Sequence, residues 1–338
     1  MRVLWSRIDR NLLVLIGVIL VLTPVPQFLN NFQLDIAVQI LLFALLAVAW
    51  NLMGGFAGQF SFGHAAFFGI GAYTTAYLVV NRGISPWIGM LVGAALAALF
   101  GLFMGYLSFR SGLKGAFFAL VTFAFAEMLN LFASNFAPIN GAIGLNIPLM
   151  SGSSWVMLQF PLGSPNYFYV ILGLLALSLI IVIILMRSRA GLFIQAVRED
   201  EEAAGALGIN PLHYKLLATM ISAALTALGG AFYVQYFFQI NPDLAFGSTV
   251  SIQILLPAIL GGIRTIWGPV LGAAIITLLG QATVALVHNP PSFLPFLQGR
   301  AGLDVIIYSV LLIVIIVGMP RGIFGSIQMG TWRARLWR

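Results

Sequence analysis

The longest polar and charged interruption in this apolar chain is residues 187–215, RSRAGLFIQAVREDEEAAGALGINPLHYK. It contains four consecutive acidic residues, Glu199, Asp200, Glu201 and Glu202. Asp200 is a favourable N-cap, the acids after it suit the positive end of a helix dipole, and Gly208 followed by Asn210 and Pro211 is typical of a helix end. We therefore predict a helix of about seven residues, roughly 10 Å long, that begins after Asp200 in a loop between two membrane segments.

The composition indicates the class of protein. Of the 338 residues, 61% are hydrophobic and 7% are charged, and the mean hydropathy is +1.03. These values exclude a soluble globular domain and indicate an all-α polytopic membrane protein. The pI near 10.1 does not indicate nucleic-acid binding, because the basic residues stand singly at the ends of apolar segments. The chain has no cysteine, which excludes disulfides and thiolate metal sites and leaves the redox compartment open.

Ten apolar segments are candidates for membrane spans. They are residues 11–29, 35–54, 57–80, 86–107, 115–135, 166–186, 215–239, 251–263, 268–287 and 303–319, of which the eighth is short. Ten spans place both termini on one side. The positive-inside rule makes that side the cytoplasm, because only Arg82 and Arg300 of the 16 basic residues then lie outside. No small-residue cleavage site follows the first segment, so we predict a retained span and not a signal peptide.

The same assignment fixes the sides of the two long loops. Residues 187–215 become a cytosolic loop. Residues 136–166 carry no charge and contain four prolines, so they are too irregular to span and form an external loop.

Residues 54–73, GGFAGQFSFGHAAFFGIGAY, combine closely spaced glycines with the polar side chains of Gln59, Ser61 and His64. Glycines let helix backbones approach one another, and an interrupted helix can expose backbone carbonyls where it lines a cavity. The pattern therefore indicates either tight helix packing or part of a transport path. Gln59, Ser61 and His64 are our first candidates for the path.

Glu127 is the only acidic residue deep inside a predicted span, and Asn130 lies on the same helical face. A carboxylate at that depth costs about 3 kcal/mol on insertion scales, so it should face protein or a water-filled cavity. Glu127 and Asn130 are therefore further candidates for the path, with a buried structural anchor as the alternative.

Small residues recur every four positions in two of the predicted spans. They are Gly89, Gly93, Ala97, Gly101 and Gly105 in one span, and Thr219, Ala223, Ala227 and Ala231 in the other. Each stripe lacks side-chain bulk, so we predict that another helix packs closely against it.

The polar loop contains the sequence Glu202-Ala203-Ala204, followed after three residues by Gly208. This pattern resembles the Glu-Ala-Ala and Gly motif of ABC importer permeases. The run REDEEAAGALGIN and residues 54–73 are similar to the permeases of branched-chain amino acid importers. The resemblance covers about residues 35–325. It implies one transmembrane permease domain over residues 1–338. It also implies a cytosolic coupling loop, residues 187–215, that contacts an ATPase through Glu201, Glu202, Ala203, Ala204 and Gly208.

The resemblance also implies the partners and the activity. The expected partners are a second permease subunit that forms a heterodimer with this chain, two cytosolic ATPase subunits that bind ATP and Mg²⁺, and an external substrate-binding protein. The expected location is the bacterial cytoplasmic (inner) membrane, in contact with lipid. No cofactor is expected on this chain. The implied activity is ATP-driven uptake of branched-chain or other hydrophobic amino acids.

Enzyme chemistry in this chain is not expected. The sequence has no Walker phosphate loop, and His64, His213 and His288 are far apart with no metal-ligand spacing.

Two alternatives remain open. The family's Thr-Gly-Gly and Gly-Leu pattern in the external loop is replaced by NGAIGL at residues 140–145, which leaves urea, short amides and a pentose as alternative substrates. A more distant alternative is an ion-coupled secondary transporter that uses Glu127 as a proton carrier.

Overall fold

A computed structural model describes residues 2–149, 152–161, 163–288, 302–318 and 322–324. Its helices are α1 (Arg2–Leu22), α2 (Asn31–Asn51), α3 (His64–Arg82), α4 (Pro86–Arg110), α5 (Gly115–Asn135), α6 (Pro165–Arg187), α7 (Arg189–Glu199), α8 (Glu201–Ala206), α9 (Pro211–Phe237), α10 (Pro242–Phe246), α11 (Ser248–Gly262), α12 (Gly268–His288) and α13 (Leu303–Gly318). Three 3₁₀ helices cover Val25–Gln27, Ala137–Ile139 and Gly141–Ile143, and a π-helix, Leu52–Phe56, continues α2.

Seven helical stretches within these described ranges are long and apolar enough to cross a membrane. They are Asn31–Phe56, Pro86–Arg110, Gly115–Asn135, Pro165–Arg187, Pro211–Phe237, Pro242–Gly262 and Gly268–His288. Two shorter apolar helices, Asn11–Gln27 and Val305–Ile315, fall in the predicted first and last segments. The chain is therefore an all-α polytopic membrane protein.

Two predicted segments have different bounds in the structure. The eighth, short at residues 251–263, is completed by α10, which directly precedes α11 in the stretch Pro242–Gly262. The third, predicted over residues 57–80, is helical only from His64. Gly58 has a φ of 69°, a left-handed conformation that interrupts the helix and that glycine adopts without strain.

The centre of the bundle is formed by α2 and α9, whose spans are the most deeply buried of the seven. The glycine stripe of α4 packs against α3 and α9. A Cβ added at Gly101 would lie 3.0 Å from the Cβ of Ala223, and one added at Gly93 would lie 3.1 Å from the Cα of Gly71. The prediction that another helix lies against each small-residue stripe is confirmed, because the stripes of α4 and α9 pack against each other.

The described part of residues 136–166 is attached to the bundle by, among other contacts, a strand pair and a hydrogen bond from α4. Strand β1 (Leu145–Asn146) pairs antiparallel with β2 (Gln239–Ile240), which directly follows α9. The Trp87 indole at the start of α4 donates a hydrogen bond of 2.8 Å to the carbonyl oxygen of Trp155.

Candidate functional site

The predicted short helix of the polar loop is confirmed as α8. Asp200 Oδ1 accepts hydrogen bonds of 2.9 Å from the backbone N–H groups of Glu202 and Ala203. At the other end, Gly208 has a φ of 81°. The N–H groups of Gly208 and Ile209 donate back into the last turn of the helix, the bonding pattern of a Schellman motif. Capping at both ends lets a helix of six residues hold a defined shape outside the bundle.

Two lysines hold α8 against the rest of the protein. Glu201 Oε2 accepts a hydrogen bond of 2.7 Å from Lys215 Nζ of α9 and lies 3.2 Å from Lys114 Nζ of the α4–α5 turn. Burial alone would raise the pKa of the Glu201 carboxyl. The hydrogen bonds and positive charges of Lys215 and Lys114 lower it by a larger amount, so the pKa lies below its usual value. These pairs therefore stabilise the fold at neutral pH and are lost as the pH falls through the folded-state pKa.

The five residues predicted to contact an ATPase divide into two groups. Glu202, Ala203 and Gly208 are exposed, whereas Ala204 is buried and Glu201 is directed to the lysines. Beside them, the Leu207 side chain at the end of α8 is 82% exposed. The exposed members form a small free surface, and the other two attach it to the bundle.

Arg198, which the sequence analysis did not select, connects the polar loop to the glycine-rich segment. Its Nη1 donates a hydrogen bond of 3.3 Å to the carbonyl oxygen of Gly55 in the π-helix. Its aliphatic stem lies so close to Gly58 that a Cβ there would overlap it. The side chain is only 12% exposed. Such a long-range contact leaves no pattern in the sequence beyond an arginine at the end of a helix.

A charge cluster holds this junction from the other side. Glu199 forms an ion pair with Arg198 and accepts a hydrogen bond of 3.0 Å from Arg264 Nη2. Burial, followed by repulsion from Arg264, lowers the pKa of Arg198, while Glu199 opposes the change. The backbone N–H of Arg264 in turn donates to Asn51 Oδ1 at 3.0 Å. The end of α7 is thus bonded both to the π-helix and to the α11–α12 turn.

Residues 57–63 form a non-helical segment that we call the core break. Gly58 is exposed beside Arg198, whereas Ser61 and Gly63 are buried inside the bundle. The Trp50 indole donates to the carbonyl oxygen of Ser61 at 2.9 Å, and Phe62 N–H donates to Thr122 Oγ1 of α5 at 3.1 Å. Gln59 and Ser61 are both buried. The Gln59 amide donates to the carbonyl oxygen of Ala57 at 3.2 Å. Side chains of the neighbouring helices therefore satisfy backbone groups that a continuous helix would satisfy internally.

His64 begins α3 immediately after the core break and is fully buried. Its Nε2 lies 2.9 Å from Ser222 Oγ of α9, and the Ser222 hydroxyl donates to the carbonyl oxygen of Ala49 at 2.6 Å. Because the single hydroxyl proton goes to Ala49, Ser222 accepts from His64 and the proton of the neutral imidazole is on Nε2. His64 Nδ1 is then an acceptor, buried and without a partner among the described residues.

The other two path candidates lie on α5. Glu127 is half-buried, and Asn130 Nδ2 donates to Asp243 Oδ1 of α10 at 3.2 Å. The structure therefore brings Gln59, Ser61 and His64 together at the core break, and it joins Asn130 to α10. The roles of all five residues in a path stay predictions.

An apolar helical bundle with a fixed, exposed helix in its polar loop and a non-helical segment at its centre has the architecture of a membrane transport permease. Residues 32–329 match the branched-chain amino acid transport system permease component family. The chain belongs to that family, as the sequence motifs in residues 198–210 and 54–73 indicated.

Individual relatives agree with this assignment. The chain is similar to the high-affinity branched-chain amino acid transport system permease protein LivM of Escherichia coli (strain K12), with 27% identity over 287 residues, 79% of this chain and 67% of the relative. It is also similar to LivH of the same strain and to BraD of Pseudomonas aeruginosa, each with 25% identity over 296 residues, 84% of this chain and 91% of the relative. No solved structure matches the chain.

Proposed function

We propose that the chain is a transmembrane permease subunit of an ATP-driven importer for branched-chain or other hydrophobic amino acids. Its family and relatives support the importer class and the substrate. In this proposal it pairs with a second permease, takes substrate from an external binding protein and is driven by two cytosolic ATPases that bind ATP and Mg²⁺. It lies in the bacterial cytoplasmic membrane and binds no cofactor itself.

The main structural support for the proposal is the way α8 is capped, attached and exposed. A cap at Asp200 and the Glu201 pairs to Lys215 and Lys114 fix the helix, while Glu202, Ala203 and Gly208 remain exposed. A short helix that is rigidly attached to the bundle and exposes one surface can bind a partner protein. A movement of that partner would then displace the bundle. This supports coupling to an ATPase through α8.

Replacement of Gly208 by alanine or valine should reduce ATP-driven leucine uptake by the assembled complex. Any Cβ at a φ of 81° is strained by about 1–2 kcal/mol, so α8 should lose its fixed end. The matched control is Gly205→Ala in the same helix: neither glycine has an atom within 4 Å of an added Cβ, but only Gly208 has a positive φ. We measure uptake and leucine-stimulated ATP hydrolysis after reconstitution. Equal activity of the Gly208 and Gly205 variants would contradict coupling through α8.

We also propose ten spans with both termini in the cytoplasm, which the distribution of basic residues supports. The cysteine-free sequence makes this testable with single introduced cysteines. Ser153→Cys in the external loop should react with an impermeant maleimide added to intact cells, and Leu207→Cys in the cytosolic loop should react only after lysis. Both native side chains are exposed, so accessibility to the reagent is not limited by burial. The reverse pattern would invert the topology.

A further inference from the structure

A second feature of the bundle, separate from α8 and from the core break, is a groove of about 550 Å³ between α2, α11, α12 and α13. Six polar side chains from the last three of these helices line it: Thr249, Gln253, Thr277, Gln281, Tyr308 and Ser309. Their side chains make no hydrogen bond to any other residue that the structure describes. We call this the polar groove.

The polar residues form matching stripes on neighbouring helices. Thr249 and Gln253 are four residues apart on α11, and Thr277 and Gln281 are four residues apart on α12. Residues at that spacing lie on one helical face. Two helices therefore turn a hydroxyl and an amide toward the same space, and α13 adds the hydroxyls of Tyr308 and Ser309 from the other wall.

This face differs from the outward face of α5. Thr249, Gln253 and Ser309 are exposed, whereas the exposed side of α5 presents Phe117 and Leu120. Hydrocarbon cannot satisfy an amide, and polar side chains in membrane segments are expected to face the protein or a water-filled cavity. The polar groove is therefore suited to water and solute and not to lipid.

The chemistry of the lining restricts the solute. Amides and hydroxyls both donate and accept hydrogen bonds, but none of the described residues that line the groove carries a charge to balance that of a solute. Apolar side chains, among them Phe43 and Leu256, complete the walls. The lining thus matches a small molecule of zero net charge that carries both hydrogen-bonding and apolar groups, as a zwitterionic aliphatic amino acid does.

We propose that the polar groove is the wall of the translocation path in this subunit and that it contacts the transported amino acid through Gln253 and Gln281. The assignment rests on the proposed importer function. It places the path on α11, α12 and α13, a different location from the core break and from Glu127.

Cysteine labelling of the complete complex in membranes tests the proposal. Gln253→Cys and Gln281→Cys should react with an impermeant, charged methanethiosulfonate reagent added from outside, and saturating leucine should slow the reaction at least threefold. The matched control is Leu278→Cys on α12, where the native side chain is 53% exposed but outside the groove lining; it should stay unreactive. If, in an assembled complex, Gln253→Cys and Gln281→Cys are as unreactive as Leu278→Cys, then lipid or the second permease covers the groove. That result would overturn the proposal.

A second variant tests contact with the substrate. The double substitution Gln253→Leu and Gln281→Leu keeps side-chain volume but removes the amides. Because these side chains have no partner among the described residues, accumulation should be unchanged while leucine uptake falls at least tenfold. Unchanged uptake by the double variant would overturn the assignment. Failure of the unmodified complex to take up leucine, isoleucine or valine would instead contradict the proposed function, so the two failures are distinguishable.

Discussion

Replacement of Arg198 by alanine should lower ATP-driven uptake by about tenfold or more, equivalent to about 1.4 kcal/mol, while the chain still inserts and assembles. The substitution removes the hydrogen bond to the Gly55 carbonyl and the stem that packs on Gly58. It leaves the Glu199–Arg264 pair in place. The end of α7 should then move without carrying the π-helix and the core break with it. ATP hydrolysis should continue, so the number of ATP molecules consumed per imported substrate should rise.

The control for this experiment lies in the same helix. Arg189 is exposed at the start of α7, so Arg189→Ala removes the same charge without touching the core break. Arg198→Lys should be intermediate, because lysine keeps the charge and the apolar stem but lacks the planar fork of donors. A role limited to folding would lower accumulation and leave the ATP-to-substrate ratio unchanged. If Arg198→Ala and Arg189→Ala give the same ratio, Arg198 does not transmit movement.

Replacement of Gly261 by alanine should prevent accumulation of the folded chain. Helices α11 and α12 approach so closely here that an added Cβ at Gly261 would overlap the carbonyl oxygen of Gly268, and one at Gly272 would overlap that of Pro257. The obstructing atoms belong to the backbone, so the two helices would have to separate. Overpacking costs about 1–3 kcal/mol even where side chains can yield, and we expect the upper end of that range or more.

The matched control is Gly173→Ala in α6, where an added Cβ meets no atom within 4 Å. This variant should accumulate normally and gain slightly from the better helix propensity of alanine. Size-exclusion chromatography and thermal unfolding in detergent measure both variants against the unmodified chain. A Gly261→Ala protein as abundant and as thermally stable as Gly173→Ala would mean that α11 and α12 do not pack through their glycines.

Local features of the sequence predicted local features of the structure. Asp200 and Gly208 mark the two ends of α8 because capping depends on residues within one turn of the helix. The four-residue stripes of α4 and α9 also became contacts, since only small residues permit such close approach.

Features that depend on distant residues could not be predicted. Arg198 and Gly55 are 143 positions apart, and the adjacent Glu199, with which Arg198 also pairs, gives no indication of that contact. Gln253 and Gln281 each look like an isolated polar residue, because their common groove depends on the rotation of α11 against α12. The sequence does not separate the core break from the helix that follows it, because Phe, Ala and Gly there suit a membrane helix as well as a buried turn.

Helix α9 has consequences for communication across the membrane. Its 27 residues form a rod about 40 Å long. Near its first residue Lys215 pairs with Glu201 of α8, and directly after its last residues β2 pairs with β1. A stiff rod attached at both ends transmits a tilt in either direction, and coupling between two sites is reciprocal. If the chain works in the proposed importer, the nucleotide state of the partner ATPases should therefore alter the affinity of the other membrane face for a loaded binding protein. Docking of that protein should alter the affinity of the ATPases for nucleotide by the same factor.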